Sequence, residues 1–174
     1  SEMCIRDSNK IISARMTQFA GNIAKTDIKI NGKNFSASDF NVSATTVQGA
    51  SANVSAAISR TSQQAGALAV KINENTGEHG VRARAFNEIK STTNVFITGA
   101  VTINNVAIAA KDSKEEFVAA VNDQVAGVDA SIDSDGFIVF SNNDGDTITF
   151  SGAAPELGIA DDDYAGFVEL ESLD

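Results

Sequence analysis

Ile28 and Ile30 alternate with Asp27 and Lys29, the period-two pattern of a strand with one buried face. Asn31-Gly32 follows, a pair suited to the two left-handed positions of a type I′ hairpin turn. A similar signal recurs where Val101 and Ile103 lead into Asn104-Asn105 and on to Val106 and Ile108. Asparagine enters the left-handed region less readily than glycine, so the second turn is the weaker signal. A helical period comes next in each region. In the second, Asp112 or Ser113 can cap the N-terminus, with Glu115 or Glu116 completing a capping box. Phe117, Val118, Val121 and Val125 line one face, and Gly127 stops the helix. In the first, Val54, Ile58, Ala65, Leu68 and Ile72 share a face over a longer run, weakened by Thr61 and Gly66, with Gly77 beyond its end. Strand alternation then returns, at Val81, Ala83 and Ala85 and again at Val128, Ala130 and Ile132. Asp135-Gly136 predicts a hairpin into FIVFS (137–141), and Asp144-Gly145 a further turn before the strand at 147–150. PELG (155–158) predicts a single helical turn, and FVELES (167–172) a strand without a closing partner.

Two regions are therefore alike. Asn31-Gly32 matches Asn104-Asn105, Ile72-Asn73 matches Val121-Asn122, and Gly80-Val81 matches Gly127-Val128. The first copy carries an insertion, largely the Ser/Ala/Thr-rich residues 41–60. Each unit reads as hairpin, helix, hairpin, and the predicted fold class is α+β: two repeated units, each a helix packed on a small antiparallel sheet.

Composition narrows the function. The 174 residues carry 13 Lys+Arg against 23 Asp+Glu, a net charge of −10, which argues against nucleic acid or an anionic lipid surface as partner. No run approaches the roughly 18 apolar residues of a membrane-spanning helix. One His, one Tyr, one Pro and no Trp leave little of the usual equipment of an active site. The one cysteine, Cys4, lies in SEMCIRDS (1–8), a string that resembles the translation of a transposon adapter used in sequencing libraries. Set aside as an artefact, it leaves a chain without disulfides, thiolate metal sites or a cysteine nucleophile. The expected organisation is 1–8 artefact, 9–26 linker from a missing N-terminal core, 27–98 first unit with its insertion, and 99–174 second unit, truncated at the C-terminus.

Each candidate for chemistry has a plainer explanation. His79, in GEHG, is expected to be a solvated loop residue with no Asp/Ser or Cys constellation around it in sequence. Asp133-Ser134-Asp135-Gly136 and Asn142-Asn143-Asp144-Gly145-Asp146 lack the spacing and flanking helices of calcium loops, and hairpin turns account for both. Asp161-Asp162-Asp163 reads as a solvated acidic loop. Sequons at Asn34, Asn41 and Asn53 sit in a Ser/Thr/Asn-rich stretch where such triplets arise by chance. Asn73 and Asn122 differ, because they recur at matched positions near a helix end, where an asparagine can bond orphan carbonyls or a neighbouring strand. No catalytic residue, cofactor or metal site is expected.

Residues 102–152, TINNVAIAAKDSKEEFVAAVNDQVAGVDASIDSDGFIVFSNNDGDTITFSG, resemble the flagellin hook IN motif, named for the pair found here as Val121-Asn122 and matched by Ile72-Asn73. LAVKINENTGEHGVRARAFNEI (68–89) resembles the central region of polar-type bacterial flagellins. The resemblance spans most of residues 27–159, with two copies in order. Such repeats also occur in hook-associated and filament-cap proteins. Flagellins generally lack cysteine, as this chain does once residues 1–8 are set aside. It departs from a full flagellin in lacking both helical ends that build the filament core. The resemblance implies an extracellular structural subunit of the bacterial flagellar filament: the surface-exposed outer domain, serving motility. Its implied partners are other flagellin subunits, through the missing terminal helices, with the isolated fragment monomeric. The alternative is a carbohydrate- or surface-binding module of a hook-associated or cap protein. The motif residues carried into the structure are Ile72, Asn73, Val121, Asn122, Asn31, Gly32, Asn104 and Asn105, all in structural roles.

Overall fold

The computed structural model describes residues 2–3, 10–16, 22–41, 64–94, 99–152 and 156–173. Among these the fold is α+β, with three helices and several antiparallel sheets. The chain falls into two compact units, Ser1–Phe86 with Asn143–Asp146 and Ala165–Asp174, and Asn87–Asn142 with Thr147–Tyr164. They do not follow the expected division at 98/99, because the C-terminal residues belong to the first unit.

In the first unit, β1 (Glu2–Met3) pairs in parallel with β4 (Lys29–Ile30), which forms a hairpin with β5 (Lys33–Asn34). β2 is Lys10–Ile12, and β3 (Asn22–Ile23) pairs with β6 (Phe40–Asn41). Residues 9–26, expected as a linker, thus contribute two strands. Helix α1 (Gln64–Asn73) is followed by one turn of helix, α2 (Thr76–His79), closed by Gly80 in the left-handed conformation. Gly77, expected beyond the helical region, lies inside that turn. Val54 and Ile58 lie outside the described residues. The strand expected at Val81 runs much further, as β7 (Val81–Lys90), and alternates buried and exposed throughout its first half. β14 (Phe167–Ser172) pairs antiparallel with β7 on one side and β2 on the other. The expectation that this strand lacks a partner is therefore wrong: it is central, and its partners are far away in sequence.

Packing follows the alternation. Val81, Ala83 and Ala85 of β7 and Val168 and Leu170 of β14 face inward against Ala65, Ala69 and Ile72 of α1, with Ile30, Phe35 and Phe40 closing the core. Small residues along α1 let it lie close to the sheet. Gly145 extends this tight packing: a Cβ there would stand 2.6 Å from the Ala85 Cβ and 3.0 Å from the Ala65 Cβ.

In the second unit, β8 (Val101–Ile103) and β9 (Val106–Ile108) form a hairpin. Helix α3 (Lys114–Gln124) packs on β9 and on β10 (Asp129–Ile132). β10 pairs with β11 (Ile138–Asn142), which pairs with residues 87–90 of β7. β12 (Ile148–Ser151) joins β8 to β13 (Asp162–Tyr164). Ser113 caps α3, its hydroxyl accepting from Glu116 N–H at 3.1 Å, while the Glu116 carboxylate accepts from Asp112 N–H at 3.2 Å. α3 ends at Gln124, and Gly127 supplies a left-handed turn three residues later. Phe117, Val121 and Val125 are buried with Phe140 and Phe150, and the edge-on contacts Phe117–Phe140, Phe140–Phe150 and Phe150–Tyr164 link rings 5.0–6.3 Å apart. Residues 156–158 form a turn that buries Leu157; Pro155 lies outside the described residues.

The two aspartate-glycine signals come apart. Asp133–Phe137 is a hairpin loop between β10 and β11, with Gly136 at φ 85°. Asp144-Gly145 is no hairpin turn, because β11 and β12 pair with different strands and do not pair with each other. Gly145 is needed there for its φ of 76° and for the close approach to Ala85.

Candidate functional site: two asparagine clamps

Asn73 is the last residue of α1, and its neighbour Ile72 is buried. Its side-chain nitrogen donates to the Ala83 carbonyl at 2.9 Å, and its side-chain oxygen accepts from the Ala83 N–H at 2.8 Å. Asn122 lies near the end of α3, beside Val121, which is fully buried. Its nitrogen donates to the Ala130 carbonyl at 3.0 Å, and its oxygen accepts from the Ala130 N–H at 2.6 Å. In each case one primary amide satisfies both backbone groups of one strand residue. Those groups point away from the strand partner: Ala83 lies opposite Leu170 and Ala130 opposite Phe140. The asparagine stands where the next strand would hydrogen-bond.

The turn residues also recur in geometry. Asn31 and Gly32 have φ of 50° and 76°, and Asn104 and Asn105 of 49° and 65°. These are the left-handed pairs of two-residue hairpin loops, between Ile30 and Lys33 and between Ile103 and Val106. The first asparagine of each turn is tied down. Asn31 donates from its amide to the His79 carbonyl at 2.9 Å. Asn104 accepts at its side-chain oxygen from Thr149 N–H at 2.9 Å, while its own N–H donates to the Thr149 carbonyl at 3.0 Å.

His79 overturns the expectation of a solvated loop residue: it is 3% exposed. Val81 N–H donates to Nδ1 at 3.2 Å, so the ring proton is on Nε2, which donates to the Ile72 carbonyl at 3.0 Å. The imidazole thus bridges the end of α1 and the start of β7, next to the Asn73 clamp. No periodic signal marked it, since GEHG reads as a loop and burial comes from the one-turn helix α2. Asn87 was also missed: fully buried, it donates to the Tyr164 carbonyl at 2.7 Å.

The Asp133 carboxylate is engaged with local backbone and with one lysine. Asp133 accepts from the N–H groups of Asp135 and Phe137, both at 2.9 Å, and pairs with Lys90 at 2.5 Å. The hydrogen bond from Lys90 holds the Asp133 carboxyl below its ordinary range, and the same bond raises the Lys90 ammonium. Lys114 reaches between the Asn94 and Gly136 carbonyls, 2.6 Å from each. Asp161, Asp162 and Asp163 are exposed, and among the described residues no group of three or more His, Cys, Asp or Glu is arranged to hold a metal ion. Asn34 accepts from Lys29, and Ser36 of its sequon is buried with its hydroxyl on the Ser38 carbonyl. The Asn41 side chain, Asn53 and Cys4 lie outside the described residues.

Two cavities border the first clamp's unit. An apolar one of about 100 Å³ lies among Ile11, Ile28, Phe35, Leu68, Ile72 and Val168. A polar groove of about 450 Å³ runs past Gly32 between Lys29, Lys33, Asn75 and Glu78. Phe86 and Phe167 stack with centroids 5.3 Å apart, with Arg84 over the first ring and Arg15 over the second. Their faces are therefore covered and offer no flat platform to a sugar. Among the described residues no helix is long and apolar enough to cross a membrane. No model of a known protein family matches the chain, and no curated protein matches it in sequence.

Proposed function

We propose that this chain is the surface-exposed outer part of a flagellin, a structural subunit of the extracellular flagellar filament of a motile bacterium, built on two hook IN-type repeats. The observation that carries the reading is the paired clamp. The Ile72-Asn73 and Val121-Asn122 pairs each bury the first residue and spend the second on both backbone groups of an alanine in the following strand. The left-handed turns at Asn31-Gly32 and Asn104-Asn105 precede them in the same order. Two matched constellations at matched places are what a duplicated unit requires, and their atoms serve the fold.

The role is mechanical and steric. Outer domains thicken a filament and present its antigenic surface, and an acidic exterior keeps a dense polymer solvated. The subunit contacts that build the filament belong, in this reading, to terminal helices outside the chain. No cofactor, nucleic acid or membrane takes part. The covered faces of Phe86 and Phe167 weigh against the carbohydrate-binding alternative.

Residues 9–174 should remain in the supernatant with flagellin filament seeds at moderate salt and micromolar protein. Co-sedimentation with the seeds would place assembly contacts inside the chain, against the outer-domain assignment.

A further inference from the structure

The outer face of the first unit's sheet combines arginine with exposed apolar groups. Alternation along β7 turns Arg82, Arg84 and Phe86 away from the core. On β14 the same side carries Phe167, Glu169 and Glu171, paired across from them. Lys10 and Ile12 of β2 are exposed beside that strand. Ile12 is 55% exposed, and Leu173, at the next alternate position beyond β14, is 48% exposed. These are the exposed large hydrophobic residues among those described. Exposed apolar groups gathered with arginines are the composition of an interface rather than of an ordinary solvated sheet.

The charge of this face also differs from the chain's. Every arginine among the described residues lies here: Arg15, Arg82 and Arg84. Arg15 packs 4.5 Å from the Phe167 centroid and donates to the Ala165 carbonyl, so its guanidinium is held in place. Glu169 is largely covered between Lys10 at 3.2 Å and Arg84 at 3.8 Å. The Arg82 side chain makes no ion pair or hydrogen bond among the described residues. The face is thus a positive island on a chain of net charge −10.

We propose that this face docks a second copy of the chain through that copy's exposed acidic run Asp161–Asp163. Most of the surface of an acidic chain repels another copy, and here the sign reverses. Asp161, Asp162 and Asp163 are consecutive exposed carboxylates, two of them on the edge strand β13. Guanidiniums held against rings lose little freedom on meeting carboxylates. The two surfaces are different, so the contact is heterologous and runs head to tail from copy to copy. Three carboxylates against three guanidiniums are far fewer groups than the roughly 20–30 residues a side of a standard interface, so the association is weak and absent at micromolar protein. It stands independently of the flagellin assignment, since it concerns the isolated chain.

Sedimentation velocity from about 10 μM to about 1 mM, at low salt and at about 0.5 M salt, tests it. The expected result is an average mass that rises with concentration at low salt and does not rise at high salt. Arg82→Glu breaks no ion pair or hydrogen bond within the described structure and should weaken association about tenfold or more, with an unchanged circular dichroism spectrum. Asp162→Lys should do the same, and an equimolar mixture of the two variants should associate, because each variant keeps the surface that the other lacks. A single-copy mass up to 1 mM at low salt would overturn the proposal. So would association that strengthens with salt, an Arg82→Glu variant that behaves as the parent, or a mixture no better than either variant alone.

Discussion

An asparagine side chain carries one acceptor and two donor hydrogens on a planar amide, enough to meet the N–H and C=O of a single strand residue. Asn73 and Asn122 do this for Ala83 and Ala130. Both asparagines are themselves exposed, so water can partly replace a lost bond. Asn122→Ala, and separately Asn73→Ala, should each cost about 1–2 kcal/mol in chemical denaturation, whereas substitution of the neighbouring exposed Asp123 by alanine should cost little. A second residue-scale effect is electrostatic. The carboxyl of Asp133 titrates below its ordinary value of 3.8 because Lys90 hydrogen-bonds it. A lowered carboxyl stabilises the fold fully above its unfolded value and loses that contribution as pH falls through the folded one. Asp133→Asn should therefore flatten the acid limb of melting temperature against pH, from the ordinary carboxylate range downward. An acid limb identical to the parent's would show that this pair does not contribute.

At the scale of elements, the helix faces divide by legibility. Phe117, Val121 and Val125 keep one helical stripe, and the structure buries all three, with Val118 half-buried at its edge. Val121→Asp should thus cost about 3 kcal/mol or more, and Val118→Asp distinctly less, by urea denaturation; equal costs would misplace the stripe. Turn chemistry was legible for the same reason, since Asn31-Gly32 and Asn104-Asn105 state their backbone requirement locally. Three features were not. β14 is a central strand whose partners are Val81–Phe86 and Lys10–Ile12, and no local pattern announces a partner so distant in sequence. His79 is buried by a one-turn helix too short to have a period. Asp144-Gly145 carries a hairpin's residues, but Gly145 is there because its Cα lies against Ala85. Gly145→Ala should accordingly destabilise the protein by about 2 kcal/mol or more, through a positive φ and a clash together, where an ordinary turn glycine would cost about 1.

Over the whole molecule, both helices are covered by strands: α1 packs on β14 with Val81, Ala83 and Ala85 of β7 in the same core, and α3 packs on β9 and β10. Each hydrophobic stripe is thereby used internally, and the sustained heptads of a filament-forming coiled coil are absent from the sequence. Outward, the described residues are mostly polar or charged, with Ile12 and Leu173 the exposed large hydrophobic residues. That division of labour, a self-contained and acidic body carried by helices located elsewhere, is the central claim of the flagellin assignment. Its most direct test is a graft, in which residues 9–174 replace the outer domain of a flagellin between that protein's own terminal helices, and the resulting filaments are imaged by electron microscopy. The account predicts filaments with the host's helical lattice and an added outer layer of density into which both clamped units fit. Filaments in which this chain's density lies at the inner core, or shows no ordered units outside it, would contradict it.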